Sequence, residues 1–199
     1  MQKQDNIKGG SADQPRLTRT IALVGLMGAG KTVIGRRLAA ALKARFRDSD
    51  EEIETAAAMS IPEIFEKHGE PYFRMGERRV IARLLDETPH VLATGGGAFM
   101  DAETRKLLRD RATVVWLQAD LDTLVRRCGR KNNRPLLKKG DPRAILSRLI
   151  EERYPVYAEA DVAVESGEEP HEQTVTKVLR AVAEVGGLDL GAPAPAESK

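Results

Sequence analysis

The segment Gly25-Leu26-Met27-Gly28-Ala29-Gly30-Lys31-Thr32, directly behind the apolar run Ile21-Ala22-Leu23-Val24, restricts the possible folds more than any other part of the chain. A strand that runs into GxxxxGK[ST] and on into a helix is a phosphate-binding loop. Its glycines let the backbone curl so that successive N–H groups face inward at the positive end of the following helix. Lys31 adds a mobile positive charge for the β- and γ-phosphates of a nucleotide, and Thr32 adds a hydroxyl able to ligate Mg²⁺. A glycine-rich turn that only joins strand to helix is the plain alternative; an apolar strand before and a helical pattern from Lys31 to about Ala44 after argue for the phosphate site.

Beyond that loop, short apolar runs alternate with longer stretches of helical period. Phe46-Arg47-Asp48 is a weak second strand, and His90 to Ala93 a third that runs into Thr94-Gly95-Gly96-Gly97. Thr113 to Leu117 is continuously apolar apart from its first residue, as a strand covered on both faces would be. Val162-Ala163-Val164 is the last strand. Helices are expected from Ser60, which has capping-box spacing to Glu63, through Phe65; over Phe73 to Leu85; over Ala102 to Arg109; from Asp120 through Arg127; from Asp141-Pro142 to about Tyr157; and over Glu172 to Ala183. This alternation implies an α/β fold, a parallel sheet between helices.

The 199 residues suffice for one domain with one core. Residues 1–19 and 187–199 are polar or rich in Gly, Ala and Pro and are expected to be loose tails, leaving a folded domain over 20–186. With 32 basic and 30 acidic residues, attraction to nucleic acid or an anionic membrane would have to be local. One cysteine, Cys128, excludes an internal disulfide; the first twenty residues contain no apolar core resembling a secretory signal, and no 18-residue apolar run occurs in the sequence. A cytoplasmic protein is expected, with no membrane partner.

The triglycine turn presents backbone N–H groups at the carboxyl end of a parallel strand, where open α/β sheets bind ligands. Asp48-Ser49-Asp50 follows the second strand to the same edge. Alternate residues of an extended chain share a side, so the two carboxylates could divide between metal and a substrate hydroxyl; a helix N-cap with first-turn acids is the other reading, since Glu51, Glu52 and Glu54 follow. From Arg126 to Lys139 seven residues are basic and none acidic. Without interleaved aromatics this run reads better as a lid, over about 126–140, than as a nucleic-acid patch. The residues alone therefore imply a small kinase for a compact polar acceptor.

Taken in order, GLMGAGKT, FRDSDEEIE, IPEIFEKHGEPYFRMGE, TGGGA, RPLL and RYPVY resemble the shikimate kinase family across about residues 20–180. The resemblance implies a three-layer α/β/α fold of the P-loop, nucleoside-monophosphate-kinase type, with a five-stranded parallel sheet and a short mobile lid. It implies transfer of the γ-phosphoryl group of ATP to the 3-hydroxyl of shikimate, with Mg²⁺ as cofactor and a monomer as the working form. Carried over motif by motif, Gly28, Ala29, Gly30, Lys31, Thr32 and Val33 would cradle the ATP phosphates, with Thr32 and Asp48 at Mg²⁺. Asp50 would act on the shikimate hydroxyl, Arg74 and Arg153 would clamp its carboxylate, and Gly95, Gly96 and Gly97 would line the ring. Arg134 would be the lid arginine on the phosphates, and Arg127 would lie along the adenine. The acidic Glu168-Glu169-Pro170 departs from the basic or amide residues often found in the family's adenine loop.

A kinase for a sugar acid such as gluconate is the nearest alternative, and a non-catalytic nucleotide-binding or nucleic-acid-binding protein the alternative of a different class. His68, His90 and His171 lack ligand spacing and are expected at surface or loop positions; Cys128 is expected to be incidental and Trp116 to belong to the core.

Overall fold

The computed structural model describes residues 16–129 and 140–189. The chain passes through β1 (Arg16–Leu17), β2 (Thr20–Val24), α1 (Lys31–Ala41), β3 (Phe46–Asp48), α2 (Ser49–Ala57), α3 (Ile61–Leu85) and β4 (Val91–Ala93). A single 3₁₀ turn (Ala98–Met100) leads to α4 (Ala102–Arg111), β5 (Ala112–Gln118), α5 (Leu121–Gly129), α6 (Pro142–Tyr157), β6 (Val162–Glu165), α7 (His171–Glu184) and β7 (Leu188–Asp189).

Five strands form one parallel sheet in the order β3-β4-β2-β5-β6. Every residue of β2 and β4, and all of β5 but Gln118, is buried. Successive side chains of a strand point to opposite faces, so this pattern requires helices on both. The expected α/β architecture is present. Ile34 and Leu38 of α1, Ile81 and Leu84 of α3, Leu108 of α4 and Tyr157 of α6 are buried in the core around the sheet.

Strand order decides what meets at the carboxyl edge. Parallel strands release their following loops at the same edge, and β3, β4 and β2 are successive neighbours, with Asp48 and Leu23 each paired to Ala93. The Asp48-Ser49-Asp50 segment, the triglycine turn and the phosphate loop therefore lie in a row, with the glycines in the middle.

Local signals account for most boundaries. The Ser60 hydroxyl accepts from the Glu63 N–H at 3.4 Å, while the Glu63 carboxylate accepts from the Ser60 N–H at 2.9 Å. This reciprocal cap satisfies donors that the first helical turn leaves unpaired. Ser60→Ala should lower the melting temperature by about 2–4 °C in a domain of this size, measured by calorimetry, without altering turnover. The helical run expected in two pieces is continuous in outline from Ile61 to Leu85 but broken at Gly69, where φ is 78°. Pro71 follows, and its missing N–H cannot bond the Lys67 carbonyl one turn back.

Three details go beyond the sequence reading. The ordered chain extends past 20–186 at both ends, because Arg16 and Leu17 pair antiparallel with Asp189 and Leu188, and the Thr18 hydroxyl donates to Gly186 O at 2.9 Å. Two-residue strands are too short to show period-two alternation. His90 keeps an expected loop position, directly before β4, but is fully buried there; its Nδ1 lies 3.0 Å from Thr88 O, and burial holds its pKa below the usual histidine value. The Asp48-Ser49-Asp50 segment is not extended throughout, since α2 begins at Ser49. Residues 1–15, 190–199 and most of the expected lid, 130–139 with Arg134, lie outside the described residues. Among the described residues no helix is long and apolar enough to cross a membrane.

Candidate active site

The loop after β2 turns through left-handed backbone at Gly28 (φ 87°) and Gly30 (φ 99°), a region that side chains with a Cβ rarely enter. The loop leads into α1, which begins at Lys31, and within the loop the Ala29 N–H donates to Leu26 O at 3.1 Å. Lys31 Nζ donates to Gly25 O at 2.7 Å and Leu26 O at 3.1 Å, closing the loop on its own carbonyls. Val33 is exposed. Arg127, on the last turn of α5, donates from Nη1 to Gly28 O (3.3 Å), Ala29 O (3.4 Å) and Ser166 O (3.2 Å), and from Nη2 to Gly167 O. Buried Ser166 adds a 2.8 Å bond to Ala29 O. These bonds use the edges of the guanidinium and tie the phosphate loop to the β6–α7 connection.

Three consecutive residues beside β4 have three different tasks. Asp48 caps α2, its Oδ1 accepting from the Asp50 N–H at 3.1 Å, and its Oδ2 accepts from the Thr32 hydroxyl at 2.9 Å. Buried Ser49 accepts from the Gly95 N–H at 3.0 Å. Asp50 lies in the first turn of α2, so both readings of this segment hold: it is a helix cap and it brings two carboxylates to the edge. Burial, with the Asp48 charge second, lifts the Asp50 carboxyl to about 6 against the opposing pull of Lys31 and Arg74.

The triglycine turn is where the elements converge. A Cβ at Gly95 would lie 2.7 Å from Asp50 Oδ1 and 3.1 Å from Glu77 Oε1, and one at Gly97 would lie 2.5 Å from Arg74 Nη2. Only glycine allows those charged groups to rest on the backbone. Gly96 adjoins the phosphate loop, its virtual Cβ 3.5 Å from Met27 N, and its carbonyl accepts from Arg153 Nη1 at 3.0 Å and from the Tyr157 hydroxyl at 2.5 Å. Arg74, on α3, and Arg153, on α6, thus meet two adjacent residues of one short turn, Gly97 and Gly96.

Arg74 is held by Glu77 Oε2 at 2.6 Å and Glu70 Oε1 at 3.1 Å. The Glu77 side chain is only 1% exposed, its Oε1 has no hydrogen-bond partner among the described residues, and burial raises its pKa despite the arginine beside it. Burial pulls the Arg74 pKa down, but the two carboxylates more than offset it. Glu77 and Tyr157 were not singled out from the sequence, although helical spacing carried the signal: Glu77 is three residues from Arg74 on α3, and Tyr157 four from Arg153 on α6.

A family model described as "Shikimate kinase" matches residues 27–183. A shikimate kinase of Caulobacter vibrioides is 59% identical over 168 residues, 84% of each chain. The chain belongs to the shikimate kinase family. The crystal structure of a shikimate kinase from Acinetobacter baumannii in complex with shikimate superposes with a TM-score of 0.79 at 40% identity, covering 86% of this chain and 94% of that one. A gluconokinase from Sinorhizobium meliloti shares the fold alone, at 19% identity and a TM-score of 0.58 over 85% of this chain and 94% of that one.

The acids that depart from the shikimate kinase pattern are engaged elsewhere. Glu169 accepts from Lys177 at 2.8 Å and Thr174 at 3.1 Å, and Glu168 pairs with Arg126. Arg126 and Arg127, the described start of the basic run, are therefore both occupied within the fold. Cys128 is buried under the phosphate loop, and Trp116 packs edge-on to Tyr154 in the core. His68 is exposed and His171 half-buried. No cluster of three metal-ligating side chains occurs among the described residues.

Proposed function

We propose that the protein transfers the γ-phosphoryl group of ATP to the 3-hydroxyl of shikimate, giving shikimate 3-phosphate and ADP on the route to chorismate and the aromatic amino acids. The observation that carries this reading is the triglycine turn, which has the phosphate loop on one side, a half-buried carboxylate of raised pKa at Gly95, and two arginines against Gly96 and Gly97. Such an arrangement suits a small acid bearing a hydroxyl: guanidinium groups match a carboxylate in charge and geometry, and a carboxylate beside Gly95 is suited to take a hydroxyl proton.

In this reading Arg74 and Arg153 clamp the carboxylate, and Gly96 and Gly97 line the ring; neither N–H donates to another group among the described residues. Asp50 orients the acceptor hydroxyl and takes its proton. Lys31 leaves the loop carbonyls for the transferred phosphoryl group, the loop from Gly28 to Val33 holds the β-phosphate side, and Arg134, carried over from the RPLL motif, neutralises charge on the phosphates. Arg127, with its edges occupied, keeps a flat face for the adenine.

Thr32 and Asp48 would hold Mg²⁺. A hydroxyl and a carboxylate oxygen 2.9 Å apart are hard donors, and Mg²⁺ commonly takes only one or two protein ligands beside phosphates and water. When bound, the ion supplies charge neutralisation at the β- and γ-oxygens. The working form is taken to be a cytoplasmic monomer.

The test is coupled detection of ADP with shikimate, gluconate and nucleoside monophosphates as acceptors, each with and without Mg²⁺. Turnover with shikimate should exceed that with the other acceptors by at least about 10³-fold, because a site that leaves buried polar groups unpaired rejects the wrong ligand strongly. Comparable turnover with gluconate would reassign the acceptor, and none with shikimate would remove the reading altogether.

A further inference from the structure

We propose that Tyr157 is a positioning residue for the acceptor site, its hydroxyl locking the Gly96–Gly97 peptide and, through the shared carbonyl, the guanidinium of Arg153. This rests on the reading of the triglycine turn as the acceptor side of the reaction. Tyr157 is the last residue of α6 and is 1% exposed. Its ring lies against Phe99, stacked at 6.4 Å, and Trp116 at 6.0 Å. Packing alone would be served as well by phenylalanine, which needs no hydrogen-bond partner.

The hydroxyl instead reaches Gly96 O at 2.5 Å, the atom that also accepts from Arg153 Nη1 at 3.0 Å. A carbonyl has two acceptor sites, and here each has a donor from α6, one turn of helix apart. In a trans peptide the C=O and the following N–H point in opposite directions. Fixing the Gly96 carbonyl toward α6 therefore fixes the Gly97 N–H away from α6, on the residue against which Arg74 rests. Rotation of that peptide is otherwise cheap, since neither flanking glycine has a Cβ to restrain it.

The second consequence concerns Arg153. With one N–H directed to Gly96 O and a further hydrogen bond to the Tyr157 side chain, the guanidinium is oriented by both partners and offers its remaining donors to a ligand. If the carbonyl turned, the guanidinium would turn with it. Burial pushes the Tyr157 phenol up to about 12, so it remains a proton donor across the pH range in which an enzyme of this kind works. No proton leaves Tyr157 in the reaction. Its contribution is orientation.

The deciding variant is Tyr157→Phe, which removes one oxygen and keeps the packed ring. Because Arg153 still serves Gly96 O, no buried carbonyl is orphaned, and the melting temperature should stay within about 3 °C of the parent. The KM and Kd for shikimate should rise about tenfold, the scale of one lost hydrogen bond, with the KM for ATP within about twofold. In an Arg153→Lys background the same change should cost less than about threefold, since the two side chains act on one atom. Unchanged shikimate affinity in Tyr157→Phe, an equal loss of affinity for ATP, or full additivity with Arg153→Lys would each overturn the proposal. Absence of shikimate turnover in the parent protein would overturn the functional reading itself, so the two failures are distinguishable.

Discussion

Asp50→Asn is expected to lower turnover with shikimate about 10²–10⁴-fold, the usual value of a positioned general base, while the KM values change little. The parent should show kcat/KM for shikimate rising with pH up to about 6 and levelling above it, because the Asp50 carboxyl must be ionised to accept the proton. The variant should lose that limb. Stability should move the other way from activity. The folded-state pKa lies above the unfolded value of 3.8, so the folded protein binds this proton more tightly, and stability falls as pH rises through the interval from about 4 to about 6. Asparagine carries no such penalty, so at pH 7 the variant should melt no lower than the parent. Near-parental turnover, or a pH profile that keeps its acidic limb, would take the base role from Asp50.

Arg74→Ala should have two separable effects. Shikimate affinity should fall about 10²-fold or more, since truncating one charged partner of a desolvated pair typically costs 2–5 kcal/mol, while ATP affinity stays near parental. The fold should also weaken, because Glu77 is left buried without its counter-charge, a loss of up to about 3–5 kcal/mol. The pH dependence has a definite sign. Glu77 already has a raised pKa, and without Arg74 it rises further, so the folded state favours the protonated acid. The deficit should therefore be small at low pH and grow as pH rises through the folded-state pKa. Adding Glu77→Gln should restore the melting temperature of Arg74→Ala at neutral pH and leave shikimate affinity low. Recovery of both together would mean that Arg74 acts through folding alone, and recovery of neither would remove Glu77 as its buried partner.

The phosphate loop was the most legible feature because its function is written in backbone freedom and contiguous residues. Gly28 and Gly30 adopt the positive φ that only glycine takes readily, and Lys31 and Thr32 follow within the same turn. Caps at Ser60, Asp120 and Asp141 were legible for the same reason, each hydrogen bond spanning two or three residues. By contrast, β1 and β7 were missed. Each has two residues, and what orders them is the other, at the far end of the chain.

Among the acids the limit is sharper. Asp48, Ser49 and Asp50 are adjacent in sequence, yet one caps a helix and meets Thr32, one accepts from Gly95, and one is desolvated to a pKa of about 6. No pattern within the triplet distinguishes them, since desolvation is set by what the strand order β3-β4-β2 packs alongside. The burial of His90 was illegible for a related reason: an imidazole beside an apolar run carries no mark of whether its environment is water or core.

From the amino-acid order alone follow the alternation that makes a parallel sheet, the phosphate loop, and the inventory of carboxylates and guanidinium groups, because these depend on bonds and periodicities reaching only a few residues. Tertiary structure alone decided that Arg153 and Tyr157 meet the Gly96 carbonyl across separations of 57 and 61 residues, that buried Glu77 pairs with Arg74, and that burial lifts the Asp50 carboxyl to about 6. Those properties belong to the local dielectric and to the exclusion of water, and both are fixed only when distant segments pack.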